Sequence, residues 1–268
     1  MSKRQALLAF VLAAGWLTPA DAALLPYEAN YSVYRNGKLV GMLEIVLEIE
    51  DGRWQISSQA RGTHGLARIL RANDQEQVTG LLQGDSFLPE RHTRHTRVAG
   101  VDDHWETRFD WEADTATVVH DGNETFVLPL QGAALDPLTM KLEMRRRLME
   151  NDPDLVFVMV DEDEVDKEHF RLLKSERIGT SLGCFETLPI EKIRRNSRRY
   201  TRAWHAPELG NLEVRVEHGK VDGDHMELRI NELRVDGEAV RPGPGCNALR
   251  NDGPAPAVEA GDADSNRP

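Results

Sequence analysis

Cysteine is scarce in this chain of 268 residues, which holds two, Cys184 and Cys246. Two thiols are too few for a disulfide scaffold or a cysteine-built structural zinc site, so the core must come from packing. Positive charge is also in deficit. The 33 Lys and Arg stand against 45 Asp and Glu, a formal net charge of -12, which removes the broad basic face that nucleic-acid binding requires. After residue 22 no stretch approaches the roughly 18 apolar residues of a membrane-spanning helix. With 40% hydrophobic and 29% charged residues, what remains is the composition of an ordinary globular protein.

The start of the chain is different. Lys3 and Arg4 precede an apolar run from Ala6 to Leu17, and Ala20 and Ala22 follow it. A positive start, a short apolar core and small residues before the cleavage point are the three parts of a secretory signal peptide. Residues 1–22 therefore read as a signal peptide cleaved after Ala22. The mature chain is expected to be periplasmic, without a transmembrane segment.

Beyond that point, alternation of apolar and polar residues recurs along the chain. Tyr27, Ala29, Tyr31 and Val33 alternate with Glu28, Asn30 and Ser32; Leu43, Ile45, Leu47 and Ile49 do so with Glu44, Glu48 and Glu50; Leu212, Val214 and Val216 do so with Glu213, Arg215 and Glu217. A period of two marks strands with one buried face. Asn36-Gly37, Asp51-Gly52, Asp121-Gly122 and Asp222-Gly223 supply residues suited to tight hairpin turns. Leu155 to Val160 is wholly apolar and reads as a central strand. The main interruption is Asp136-Pro137 followed by Leu138, Leu142 and Met149 at helical spacing, which predicts a helix capped by Asp136 with Arg145 to Arg147 near its end. A shorter helix or turn is expected over Gly65 to Arg71, where Leu66, Ile69 and Leu70 lie three or four apart. From Arg241 onward the sequence loses periodicity, so residues 23–240 read as one β-rich domain and 241–268 as a disordered tail.

Several strings invite a chemical reading. Gly179-Thr180-Ser181-Leu182-Gly183 matches the nucleophile elbow of hydrolases, but the alternating Cys184 to Pro189 after it is a strand, not the helix that motif requires; a hairpin turn is the better reading. In Arg91-His92-Thr93-Arg94-His95-Thr96 the two histidines point to opposite faces of a strand and, even with His104, are surrounded by arginines, so a solvated strand face is expected rather than a metal site. Asp161 to Asp166 lacks the glycine and the terminal Glu of a calcium loop and reads as a solvated turn. Lys192, Arg194, Arg195, Arg198, Arg199 and Arg202, with Trp204 beside them, concentrate positive charge in an acidic chain and form the candidate ligand-binding cluster for a phosphate or carboxylate. Their alternative role is pairing with the chain's own acids. Cys184 and Cys246 are a candidate disulfide, although closing a long loop through a loose tail weighs against the bond, and two free thiols are the expectation.

Four stretches together resemble the exported bacterial family known as domain of unknown function 3108. They are Tyr27-x-Ala29-x-Tyr31-x-Val33-x-Arg35-Asn36-Gly37 with Gly41, then Asp136-Pro137-Leu138-Thr139, then Gly183-x-Phe185-x-Thr187, and Trp204-x-Ala206-Pro207-Glu208-Leu209 leading into Val214-Arg215-Val216-Glu217. The resemblance runs from about Tyr27 to Val235, with Glu213 where the family often has Pro. It implies a periplasmic, mainly β protein, a curved open barrel with a helix against its concave face, similar to envelope lipoprotein carriers. It implies no established activity.

The fold expected is mainly β: antiparallel hairpins forming a curved sheet or open barrel or sandwich with one principal α-helix. The function expected is a non-catalytic binding or chaperone-like module for a lipidic, amphipathic or anionic envelope component, with an envelope lipid, glycan or protein as partner and no nucleic acid. The alternatives are a carboxylate-based hydrolase acting on an envelope glycan and a purely structural protein-protein interaction module. No catalytic residue, metal or cofactor is assigned, and the residues favour a protein that is not an enzyme.

Overall fold

The computed structural model describes residues 24–130, 132–194 and 198–246. The expected signal peptide, Arg195 and the chain beyond Cys246 lie outside the described residues. The elements of the first half are β1 (Tyr27–Arg35), β2 (Lys38–Glu50), β3 (Arg53–Gly62), α1 (Gly65–Ile69), β4 (Asn73–Gln83), β5 (Ser86–Val98), β6 (Val101–Asp110), β7 (Thr115–His120) and β8 (Glu124–Pro129). After β9 (Ala134–Leu135) and α2 (Pro137–Met149) come β10 (Val156–Asp161), β11 (Glu164–Leu172), β12 (Glu176–Thr180) and β13 (Gly183–Ile193). The chain continues through β14 (Arg199–Ala206), β15 (Leu212–Lys220), β16 (His225–Val235) and β17 (Glu238–Ala239).

Each strand from β1 to β8 pairs antiparallel with the next, as the period-two pattern and the turn dipeptides require. Asn36 and Gly37, Asp51 and Gly52, and Asp121 and Gly122 all have φ between 48° and 75°, the left-handed pair of a two-residue hairpin. At Asp222-Gly223 only Asp222 takes a positive φ, 62°. A second meander runs back from β16 through β15, β14 and β13 to β11 and β10. The two halves join where β1 pairs with β16 on its other edge, Tyr27 facing Val235 and Arg35 facing Met226. β12 flanks the first part of β13, and β9 lies parallel to β10.

The sheet curls until its ends meet through side chains. Phe109, Ala116, Val118 and Leu130 near one edge pack with Ala134 and Val160 at the other. Among the described residues no ladder joins β8 to β10 or β11, so the barrel is open. Leu155 to Val160 is therefore not a central strand: β10 has β11 on one side and only the two residues of β9 on the other. Its apolar character comes instead from having both faces covered, Phe157 and Met159 by α2 and Val160 by the opposite edge.

α2 lies within the concave face. Asp136 caps it as expected, accepting from the backbone N–H of Leu138 and Thr139 at 2.9 Å each. Leu138 and Leu142 join the core of β1 to β4, with Ile45, Leu47, Trp54 and Ile56, while Met144 and Leu148 face Leu155 and Phe157. Burial nearly all round leaves Glu143 and Arg145 inside as well. Glu143 is satisfied by Arg146 at 2.6 Å.

The disulfide and the tail differ from expectation. Cys184 and Cys246 are bonded, with a Cα–Cα separation of 4.8 Å. Residues 241–246, expected to belong to the disordered tail, run beside β13: the Gly243 N–H donates to Leu182 O and the Cys184 N–H to Pro244 O. Those backbone bonds hold Cys246 against Cys184, which a sequence without periodicity gave no sign of. The domain thus extends at least to Cys246.

Candidate functional site

Among the described residues the basic cluster is divided: Lys192, Arg194 and Arg199 lie near enough to His218 to add to the lowering of its pKa by burial, whereas Arg202 lies over Trp204. Lys192 is paired with Glu168, and Arg202 reaches Glu191 at 2.6 Å. Arg194 donates to Thr201 Oγ1 at 3.3 Å. Arg198 and Arg199 are exposed at the start of β14. Trp204 is only 3% exposed, donates its indole N–H to Glu176, and lies beneath the Arg202 and Arg215 guanidinium groups at 5.7 and 4.8 Å from the ring centre. It is a core residue, closed to a ligand. A groove of about 730 Å³ lies beside Lys192 and Arg194, lined also by Lys167 and His169 and by the carboxylates of Asp166 and Glu168.

The other strings have settled places. Gly179 to Gly183 is the hairpin between β12 and β13, and Ser181 Oγ donates to the Ile230 carbonyl at 3.0 Å. Asp161 to Glu164 form an exposed turn. The histidines divide between the faces of β5, as strand geometry requires, yet the solvated face expected for them holds only in part. His92 is 5% exposed and bonds Glu76 at 2.9 Å. Burial opposes its protonation, but the Glu76 hydrogen bond together with Asp136, Glu76 and Asp161 outweighs that, and its pKa is raised. His95 and His104 face each other edge-on across β5 and β6 at 5.7 Å.

Sequence reading missed a group of Asp103, His120 and Asp121 whose ligand atoms approach within 4.8 Å of one another. His120 Nε2 lies 2.8 Å from Asp103 and Nδ1 3.2 Å from Glu124. The hydrogen bond to Asp103, then that to Glu124, raises its pKa.

A different surface lies at the α1 end of the barrel. Five residues bury too little to make a self-sufficient helix, so α1 depends on its anchors. Thr63 and His64 N–H groups bond Val40 O, the Ala72 N–H bonds Ala67 O, and the Ala99 N–H of the β5–β6 turn bonds Leu70 O. Gly62 permits this close seat, since a Cβ there would meet Ala67 O at 2.6 Å. The segment turns its apolar residues outward: Leu66 is 67% and Ile69 71% exposed, with Val101 of the neighbouring hairpin at 59%. Behind α1 is an apolar cavity of about 200 Å³ walled by Val33, Val40, Ala60, Ala67, Val98 and Met226.

Around this mouth stand Arg61, Arg68, Arg71 and Arg97, all exposed. Arg97 reaches Asp102 at 3.3 Å and Arg61 bonds Gln59, whereas Arg68 and Arg71 make no ion pair among the described residues. Sequence reading found the α1 segment without finding its role. The available signal was the alternation of Leu66, Ile69 and Leu70 with Arg68 and Arg71 in a helix too short to bury them.

An open, barrel-like antiparallel sheet wrapped on one helix defines the class of protein. Its similarity to a solved structure agrees: a beta-barrel-like protein of domain of unknown function DUF1849 from Brucella abortus, 10% identical, superimposes with a TM-score of 0.56 over 80% of this chain and 98% of that one. The family described as Protein of unknown function (DUF3108) matches residues 30–229, and the chain belongs to it. A candidate exported protein with a YmcC-like fold from Bacteroides fragilis, 9% identical over 79% of this chain and 97% of its own, scores 0.31. A candidate lipoprotein from Parabacteroides distasonis, 9% identical over 80% and 98%, scores 0.29; neither carries an argument about this chain. No curated protein matches. No helix of the described residues is long and apolar enough to cross a membrane.

Proposed function

We propose that the chain is an exported, non-catalytic envelope module that engages an anionic lipid surface through the α1 mouth. The observation that carries this reading is the exposed apolar tip, Leu66, Ile69 and Val101, set over an apolar cavity and ringed by arginines in a chain of net charge -12. Apolar side chains that protrude at a tip enter the headgroup boundary, and cations beside them add about 1 kcal/mol each near an anionic surface. The exported location rests on the N-terminal Lys3-Arg4, apolar run and Ala20-x-Ala22. The cavity behind α1 gives an acyl chain room to leave the lipid plane, which is what a lipid-handling module needs beyond simple adhesion.

Co-sedimentation of the mature protein with vesicles tests the proposal. Binding is expected to vesicles containing phosphatidylglycerol and not to pure phosphatidylcholine, and to weaken at high salt. Leu66→Ser combined with Ile69→Ser should lower it at least tenfold, because each exposed aliphatic side chain that re-enters an apolar phase contributes roughly 1 kcal/mol or more. Since neither residue is buried, the thermal midpoint should stay put. Equal binding by the double variant sinks the proposal.

A further inference from the structure

We infer that Arg145 anchors a second site, a cleft at the other end of β1 that takes a carboxylate bearing a straight acyl chain. It stands apart from the α1 mouth: Val33 of β1 lines the cavity there and Tyr27 lines this one. The cleft holds about 340 Å³, with Leu24, Met149, Leu212, Leu233 and Val240 among its walls.

Arg145 lies in it at 6% exposure. Its Nε donates to Gly210 O at 3.0 Å and its guanidinium covers the Tyr27 ring at 4.7 Å. Its Nη1 is buried with no hydrogen-bond partner among the described residues. A guanidinium has no neutral form at any relevant pH, so it cannot escape by losing a proton.

No carboxylate pairs with Arg145 among the described residues. The partly buried Glu213 is already bonded to Lys141 at 2.7 Å, and Lys141 also feels Glu76, so these carboxylates are turned to Lys141 rather than to Arg145. His205 is held neutral, its pKa pushed down chiefly by burial, and burial likewise raises the phenols of Tyr27 and Tyr31. Glu208 lines the rim but is exposed and makes no ion pair with Arg145 among the described residues. A buried charge without its complement is unfavourable, and a ligand carboxylate on Nη1 supplies that complement.

The walls define the rest of the ligand. Apart from Arg145, Tyr27 and Glu208, the lining residues are Leu, Val, Met149 and Gly210, all without a charged or hydrogen-bonding N or O in the side chain. A hydrocarbon chain loses nothing there, whereas the amides of a peptide would meet few partners. An acyl carboxylate matches both parts of the site.

Isothermal titration of the mature protein with decanoate and with 1-decanol tests this directly. Decanoate should bind one per chain and at least tenfold more tightly than decanol, which has the same chain without the charge. Arg145→Met should abolish that preference. Val240→Trp, which fills the rim and leaves the guanidinium in place, should block both ligands; it decides the matter if the first variant does not fold. Absence of decanoate binding, equal affinity for the two ligands, a preference that survives Arg145→Met, or stronger binding of a short peptide with an apolar C terminus would each overturn the inference.

Discussion

Two clusters of arginine in this molecule behave in opposite ways. Between Lys192 and Arg202 six cations crowd a short stretch of sequence, yet Lys192 and Arg202 are committed to Glu168 and Glu191, and the neighbouring Trp204 is buried. Around α1 the arginines are dispersed from Arg61 to Arg97, and Arg68 and Arg71 have no carboxylate to answer them among the described residues. Density of charge along a chain therefore says less about a site than the supply of opposite charge across neighbouring strands. In the β14 region Lys192 and Arg202 are tied to carboxylates of the fold, and at the α1 mouth Arg68 and Arg71 are not, which is why the proposed lipid contact is set there.

The contrast makes distinct demands on variants of the two regions. The largest effect belongs to Trp204→Ala, which empties a buried indole site and strands Glu176; it should destabilise the fold by about 3–5 kcal/mol without touching the α1 mouth. Denaturant unfolding measures it, and a loss under about 1 kcal/mol would show that the indole contributes no more than a surface residue does.

Truncation after Val240 comes next. It removes Cys246 and with it a cross-link spanning 62 positions, a loss of about 2–4 kcal/mol. Reductant should erase the difference between the full and shortened chains. If the two unfold alike under oxidising conditions, residues 241–246 do not hold the domain.

Binding should track the other region. Arg68→Gln with Arg71→Gln should reduce binding to anionic vesicles by roughly tenfold, given about 1 kcal/mol for each cation near the surface. Arg194→Gln with Arg198→Gln and Arg199→Gln should leave it within about twofold, since exposed pairs contribute little. The reverse ranking in a vesicle assay would exchange the roles of the two regions.

The smallest effect is a pH dependence at His92. Because its folded pKa is raised above the ordinary value of about 6.5, the stabilisation it supplies is full below that value and fades as pH climbs through the folded pKa. The gap in unfolding free energy between the parent and His92→Gln should therefore be widest in mild acid and narrow toward alkaline pH. A gap that grows with pH would mean that His92 is held neutral.

Strands, hairpins and α2 are legible in the sequence because their signals are local: alternation, a left-handed dipeptide, an aspartate before a proline. The site is harder. Leu66, Ile69 and Leu70 have the spacing of a buried helical face, and only the neighbouring strands determine that nothing covers them. Arg145 reads with Arg146 and Arg147 as a cation of the helix end, although its place three residues after Leu142 and seven after Leu138 puts it on the buried stripe. The arginines beside His92 in sequence suggest a solvated face, when Glu76 across the ladder sets its environment. The disulfide has no local signal, since it depends on backbone bonds between segments far apart in the chain.

The seam at β1 bears on how the molecule comes into being. β1 is an interior strand whose second partner is β16, and Ser32 and Asn231, bonded across that seam, are 199 positions apart. Until the last long strand arrives, the first one presents an open row of amides and carbonyls along one edge, with Tyr27, Ala29 and Tyr31 bare on the inward side. Contacts of such separation make for slow folding, because the loop must close before any pairing rewards it. A nascent chain thus carries an adhesive edge for as long as its synthesis lasts, and the eight-strand meander released alone would keep that edge and aggregate rather than fold as a half-barrel.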